Sequence, residues 1–455
     1  MNIKVRWISV FVVVVLAVAL IAAAWSGGSN VGESSEALFS RKETIDLWYS
    51  DEDMTEFLNS VSVAYSDSQS EYRVEPTLVD DTEYIETIYQ ASVEGEEYPD
   101  VFIAGNDTLE RLYLAGLASE VEGQEWFEDN TWFCETAIHA VTYEDKIIGY
   151  PFSFEAAAFL YNEDYVESMA ENAGTSLEET IPETMIDVIT LANSYDAPEN
   201  VTAVLKWDVS DIFYNYCFLG NYMSIGGEDG DNEDEIRVYN EQLISCLQVY
   251  QQLNQFFSID TSSDDYESVI EEFAKGEIVF TLATSDSVDK LSSYCEENET
   301  TLNYGVTAIP DLTDSLKSKT LSITNCMIIN GYSDLQDVAE DFVQYVIFDS
   351  MDSFYDMTNK APAREGITFS DFHMDGFYEA YVNSSPITKL RSASNFWMLL
   401  ENTFSQVWDG EDPNEQLRLL CEQLLIQMTG QDSVSVSAIE DPEYVDIQAE
   451  LTGGD

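Results

Sequence analysis

Between Tyr143 and Val166 the chain reads YEDKIIGYPFSFEAAAFLYNEDYV, and in it one glutamate, Glu155, stands between two apolar stretches. A carboxylate so placed can accept hydrogen bonds from a hydroxyl-rich ligand, work with a second carboxylate across a glycosidic bond, or rest solvated between two strands. With 87 Asp and Glu in the chain, residue type alone leaves the carboxylate-pair hydrolase open. Other chemistries lack their residues: there is no H-E-x-x-H, G-x-S-x-G, phosphate-binding P-loop or Gly-rich dinucleotide fingerprint. The two histidines, His139 and His373, have no nucleophile signature beside them and read as structural. GGEDGDNEDE resembles a calcium loop, but the sixth position counted from Asp229 is Asp234, where an EF-hand needs glycine, so it reads as a solvated hairpin tip. The cysteines (134, 217, 246, 295, 326 and 421) show no C-x-x-C or ligand spacing and read mostly as small buried thiols. No catalytic residue, metal or cofactor is expected.

Charge narrows the partners. Against those 87 acids stand 18 Lys and Arg, a formal charge of −69, which repels phosphate backbones and anionic lipid surfaces. Nucleic acid is therefore excluded as a partner. Lys4 and Arg6 precede an apolar run from Ile8 to Trp25 that reaches roughly 27 Å as a helix, enough to span a bilayer. Basic residues before the run and acidic bulk after it put the large domain outside the cytoplasm. The run reads as a retained membrane anchor, or as a signal segment cut near Ala22-Ala23-Ala24. No cysteine for lipid attachment precedes Cys134. Residues 26–42, rich in Gly and Ser, form a flexible spacer.

Which elements position Glu155? Length and an apolar fraction of 45% allow two or three domains with sizeable cores. From Thr44 the pattern alternates: TIDLWYS and YRVEPTLV as strands, MTEFLNSVSVAYSDS and TEYIETIYQASVEG as helices, YPDVFIAG as a strand before DTLERLYLAGL. That β-α-β-α-β order implies a parallel sheet, which binds ligands at the carboxyl ends of its strands. Around Glu155 the pattern and Pro151 predict two extended segments after a hairpin tip at Glu144-Asp145-Lys146. Further on, longer helices such as EQLISCLQVYQQLNQFF and the helix-strand pair YESVIEEFAKGEIVFTLATS suggest a second α/β body.

The fragments YPDVFIAGNDTLERLYLAGL, DKIIGYPFSFEAAAFLYNEDYV, FAKGEIVFTLATSDS, LNYGVTAIPDL and SASNFWMLLENTFSQVWDG, in this order, resemble extracellular solute-binding proteins of the maltose/maltodextrin-binding type, the receptors of sugar-import ABC transporters. The resemblance runs from about Thr44 to about Leu425. It implies an α/β, periplasmic-binding-protein-like fold: two α/β lobes joined by hinge crossings, after one N-terminal hydrophobic helix at 1–25. Lobe I is expected from 43–152 plus 305–358 and lobe II from 153–304 plus 359–449, with crossings near Tyr150 to Glu155, Leu302 to Gly305 and Asn359 to Arg364. It also implies a carbohydrate or other small polar solute in the cleft, ABC permease subunits as partners, a monomer, and no enzymatic activity.

By family position the ligand candidates are Glu155, Asp107, Trp397 and the loop with Asp51 and Glu52, and, in the second lobe, Trp207, Asp208 and Tyr214. For Trp397, Trp207 and Tyr214 the competing reading is core packing. The sequence departs from the family pattern at Ala104 and Asp286, where aromatic planes are usual, and at Asp53, where a basic residue is expected; Asp286 joins the candidates. Missing planes and missing positive charge make a linear α-glucan doubtful, and the surplus of carboxylates raises an amino sugar or cationic solute beside a neutral oligosaccharide. A membrane-tethered sensor or adhesin is the alternative function.

Overall fold

The structure, a computed structural model, describes residues 42–452 except 80–81, 96, 128–130, 258 and 260–263. The expected anchor at 1–25 and the spacer up to residue 41 lie outside the described residues. Among the described residues, no helix is long and apolar enough to cross a membrane.

Two sheets organise the chain. The first runs, edge to edge, Ala361–Pro362, Tyr150–Ala156, Leu321–Ile329, Val101–Gly105, Glu43–Tyr49 and Tyr72–Leu78, with Ser385–Pro386 also paired to Leu321–Ile329. Its three N-terminal strands are parallel, Ile45 opposite Val74 and Leu47 opposite Val101. The alternation in ETIDLWY is what makes the first strand: Ile45, Leu47 and Tyr49 turn inward and meet Phe57, Leu58, Val61 and Tyr65 of the helix Thr55–Ser68. Pro362, which has no N–H to give a ladder, sits in the outermost strand.

The second sheet runs Tyr304–Thr307, Ala158–Asn162, Ile278–Ala283 and Ala203–Leu205. All six residues of IVFTLA are buried, as expected of a strand covered on both faces. Two apolar cores form, one around Phe57, Phe102 and Phe154 that also takes Leu160, Ile278 and Tyr304 from the second sheet, and the other around Phe159, Trp207 and Tyr250.

The chain passes between the lobes three times. At the first passage, strand Tyr150–Ala156 belongs to one sheet and Ala158–Asn162 to the other, with Ala157 alone between them. The second comes later than expected: Tyr304–Thr307 still pairs with Ala158–Asn162, and Leu312 and Leu316 lie in the second core, so the return is completed only at Leu321–Ile329. At the third, Ala361–Pro362 pairs with Tyr150–Ala156, the helix His373–Val382 packs on Tyr304–Thr307 with the His373 ring stacked on Tyr304 at 3.8 Å, and Ile387 and Leu390 lie in the second core. Apolar spacing shows which face of an element is buried, not which of two cores receives it.

The GGEDGDNEDE segment is a hairpin, closed by pairing of Ser224–Ile225 with Ile236–Arg237. Glu228 and 232–235 are exposed, while Asp229 is engaged: its Oδ1 meets His139 Nδ1 at 2.7 Å, and the buried Lys389 donates to the carbonyls of His139 and Asp229. All six cysteines are unpaired, and Cys134, Cys217, Cys246 and Cys326 are buried.

Acid concentrates even within the first sheet. Asp46 N donates to Asp100 Oδ2 at 2.9 Å, and burial, then the charges of Asp100 and Glu75, push the Asp46 carboxyl up to about 6. The folded state therefore binds a proton the unfolded chain releases, and this group's contribution to stability falls as pH rises from about 4 to about 6. Asp46→Asn is expected to stabilise the protein at pH 7 by up to about 2 kcal/mol and to have little effect at pH 4. Denaturant titrations at both values would show it, and an equal effect at both would refute the assignment.

Candidate functional site

A cavity of about 650 Å³ opens where the two sheets face each other. The first lobe supplies Ser153 and Glu155 from strand Tyr150–Ala156, Asn325 from the central strand, and Lys360 and Ala361 from the edge. The second supplies Thr284, Ser285 and Asp286, directly after strand Ile278–Ala283, with Tyr214, Tyr266 and Lys290. A smaller adjoining space of about 250 Å³ shares Asn325 and is lined by Ser50, Asp51 and Gly105, at the carboxyl ends of Glu43–Tyr49 and Val101–Gly105. Strand ends are where a parallel sheet leaves backbone groups and loops free for a ligand.

A larger cavity, about 970 Å³, is lined by the 226–235 hairpin, His139, Ser385 and Trp397, and shares no lining residue with the first. Size favours it; position does not. It takes nothing from the ends of the parallel strands, so the smaller cavity is the candidate site.

Glu155 points from its strand into the cleft, exposed on one side and crowded by protein on the others. Burial pushes its carboxyl upward; Lys360 opposes the shift, and the negative charges of Asp286 and Asp51 add to it. Three charged candidates from distant parts of the chain thus act on one another here. Between Asn325 and Cys326 the pairing with Tyr150–Ala156 slips by one residue, an irregularity of the kind that re-aims side chains beside sites. Asn325 donates from Nδ2 to Ser153 Oγ at 3.3 Å.

Asp107 folds back over Gly105: a Cβ there would lie 2.5 Å from Asp107 Oδ1 and 4.0 Å from Asn325 Oδ1. Only glycine leaves room for that carboxylate, which is exposed yet raised by burial, as Glu155 is.

The second wall is a closed polar network. Asp286 Oδ1 accepts from the Tyr266 hydroxyl at 2.7 Å and from Thr284, and its Oδ2 lies 3.2 Å from the Lys290 ammonium. The Tyr214 ring is stacked on Tyr266 at 5.2 Å, and the Lys290 ammonium lies over Tyr266 at 4.7 Å. Opposite, Lys360 pairs with Asp51 at 2.8 Å and Asp53 at 3.3 Å.

Of the sequence candidates, the structure brings Glu155, Asp51, Asp286 and Tyr214 to these two spaces and sets Asp107 beside them. Glu52 is exposed in the short turn Glu52–Met54 and lines neither. Trp207 is fully buried in the second core. Asp208 is buried and engaged locally, accepting from the N–H groups of Ser210 and Tyr266 at 3.0 and 3.1 Å. Trp397 packs on Phe396 and Tyr216 and lines the other cavity.

Sequence reasoning missed Tyr266, Thr284, Asn325 and Lys360. Lys360 had a signal: it is one of only 18 cations, and it lies in a segment already marked as a crossing. The positive charge absent at Asp53 is supplied from there.

Two α/β lobes, three passages between them and a polar cleft walled by both define a binding protein of the clamshell type. The chain belongs to the family described as bacterial extracellular solute-binding protein, whose model matches residues 62–351, more than half of its length. Solved structures share the fold. The extracellular solute-binding protein from Staphylococcus aureus in complex with maltose aligns with a TM-score of 0.72 at 17% identity, covering 86% of this chain and 98% of that one. The maltose-binding periplasmic protein MalE from Listeria monocytogenes, in complex with maltose, aligns at 0.70 and 21%, covering 86% and 99%. MalX from Streptococcus pneumoniae, in complex with maltopentaose, aligns at 0.63 and 19%, covering 85% and 99%. No curated protein matches the chain.

Proposed function

We propose that the cleft around Glu155 binds a small hydroxyl-rich solute outside the cell, an oligosaccharide first of all, and that lobe closure presents it to the permease subunits of an ABC importer. The observation that carries this is Glu155: a carboxylate with no side-chain partner among the described residues, two residues from the passage between lobes, facing Asp286 and Tyr214 of the opposite wall. A ligand touching both walls stabilises the closed state by its differential affinity, and passages of chain between the lobes let them move as bodies. The maltose and maltopentaose of the structural relatives make carbohydrate the first class to test. Residues 1–25 would hold a monomeric receptor at the outer face of the membrane.

The family is one of binding proteins, and the reading excludes turnover. Calorimetry on the full chain with an oligosaccharide panel, followed by chromatography of the recovered sugar, tests both points. Saturable binding with intact ligand and a smaller radius of gyration in the complex are expected. Cleaved sugar would establish a hydrolase, and a radius unchanged at saturation would refute closure.

A further inference from the structure

The cleft's own cations are already taken. Five carboxylates line it, Asp53, Glu155, Glu267, Asp286 and Asp289, against two ammonium groups, Lys290 and Lys360. Lys360 is shared by Asp51 and Asp53, and Lys290 by Asp286 and Glu267. Asp286 is satisfied at both oxygens, by Tyr266 and Thr284 at one and Lys290 at the other. Glu155 has none of this: no hydrogen bond or ion pair joins its side chain to another described residue. It sits within reach of the charges of Asp51 and Asp286, on walls that closure brings together.

The aromatic side of the site is closed as well. The Tyr266 ring is stacked on by Tyr214 and covered by Lys290, and Tyr214 is 5% exposed, so neither ring offers a sugar a broad free plane. A neutral sugar in this cleft would find acceptors in excess and little to stack on. It would also leave the repulsion between the walls uncompensated as water is expelled and the effective dielectric falls. A protonated amine answers both needs at once. It donates charge-assisted hydrogen bonds to Glu155 and cancels the charge that opposes closure.

We propose that the solute carries a protonated amine that pairs with Glu155, the simplest such ligand being an oligosaccharide with free amino groups, and that Glu155 is the residue that selects it. This rests on the cleft being the solute site. The binding step is non-covalent: the amine arrives protonated and Glu155 stays ionised.

The test is calorimetry on the full chain with short glucosamine oligomers, their fully N-acetylated counterparts, and malto-oligosaccharides. The free amines are expected to bind at least about 10-fold tighter than either neutral set, since only they form a charge-assisted bond. In Glu155→Gln that preference should shrink to about threefold or less, with the ligand-free melting curve showing that the variant is folded. Affinity for the amine should fall as acid protonates Glu155, beginning above the usual glutamate range because burial, with Asp286 and Asp51, raises it against Lys360. Asp53, Glu267, Asp289 and Lys290, the other charged groups on the lining, remain in the variant, so a pH profile that loses this acidic limb in Glu155→Gln ties it to Glu155. Neutral oligomers binding as tightly as the amines, or a preference that survives Glu155→Gln, would overturn this proposal and leave the oligosaccharide receptor standing. Binding by none of the three sets would overturn both.

Discussion

Truncation of Trp207 to alanine is expected to cost about 3–5 kcal/mol of stability, the range for removing a large buried aromatic, and to leave solute affinity within about threefold. Its ring is wholly buried, with Phe218, Phe257 and Trp408 at centroid distances of 5.9, 6.5 and 5.8 Å. Its indole N–H donates to Asn215 Oδ1 at 3.0 Å, and Asn215 in turn donates to the Val209 carbonyl at 2.7 Å. Truncation would leave a cavity in the second core and an unpaired buried amide oxygen together, two losses that add. Denaturant unfolding read alongside calorimetry separates the roles. An unchanged midpoint with lost affinity would return Trp207 to the binding site and sink the core assignment.

Glu155→Ala should do the reverse. Affinity for the solute is expected to fall by about 1–3 kcal/mol, the range for deleting a charged hydrogen-bond partner in a desolvated site. The ligand-free protein, by contrast, should melt at a higher temperature. Burial disfavours the Glu155 charge in the folded state, and the like charges of Asp286 and Asp51 add to that despite Lys360. A carboxyl raised on folding opposes stability at pH values above its folded titration range, so the gain should appear near pH 7 and fade as the solution is acidified and wild-type Glu155 takes up its proton. A melting temperature lowered at pH 7 would mean that Glu155 is held by contacts the cleft does not show. Weaker binding with a higher melting point is what a ligand residue kept at a cost to the fold produces.

Both experiments turn on a distinction the sequence drew only in part. Trp207 and Glu155 were candidates together, one in an aromatic connector and one beside Tyr-Pro. For Glu155 the local pattern left a ligand carboxylate and a solvated one equally open and the family resemblance favoured the first, with the passage from sheet to sheet following within two residues. For Trp207 a large aromatic serves equally as a stacking plane or a core residue and only its neighbours decide. Tyr214 and Trp397 carried the same ambiguity. The first lines the Glu155 cavity while stacked on Tyr266, and the second lines the other.

What the amino-acid sequence determined by itself was whatever depends on near neighbours and on totals. The alternating strands and amphipathic helices, the α/β class, the acidic balance, and the absence of nucleophile and phosphate-loop signatures all follow from spacing and composition. Tertiary structure alone decided that Tyr304–Thr307 would pair with Ala158–Asn162 and that Leu321–Ile329 would join the first sheet. It also decided that Lys360 would neutralise Asp51 and Asp53. The reason is physical: side-chain periodicity marks a buried face but carries no address, whereas pairing between residues hundreds of positions apart exists only once the sheets have assembled and brought their strand ends together.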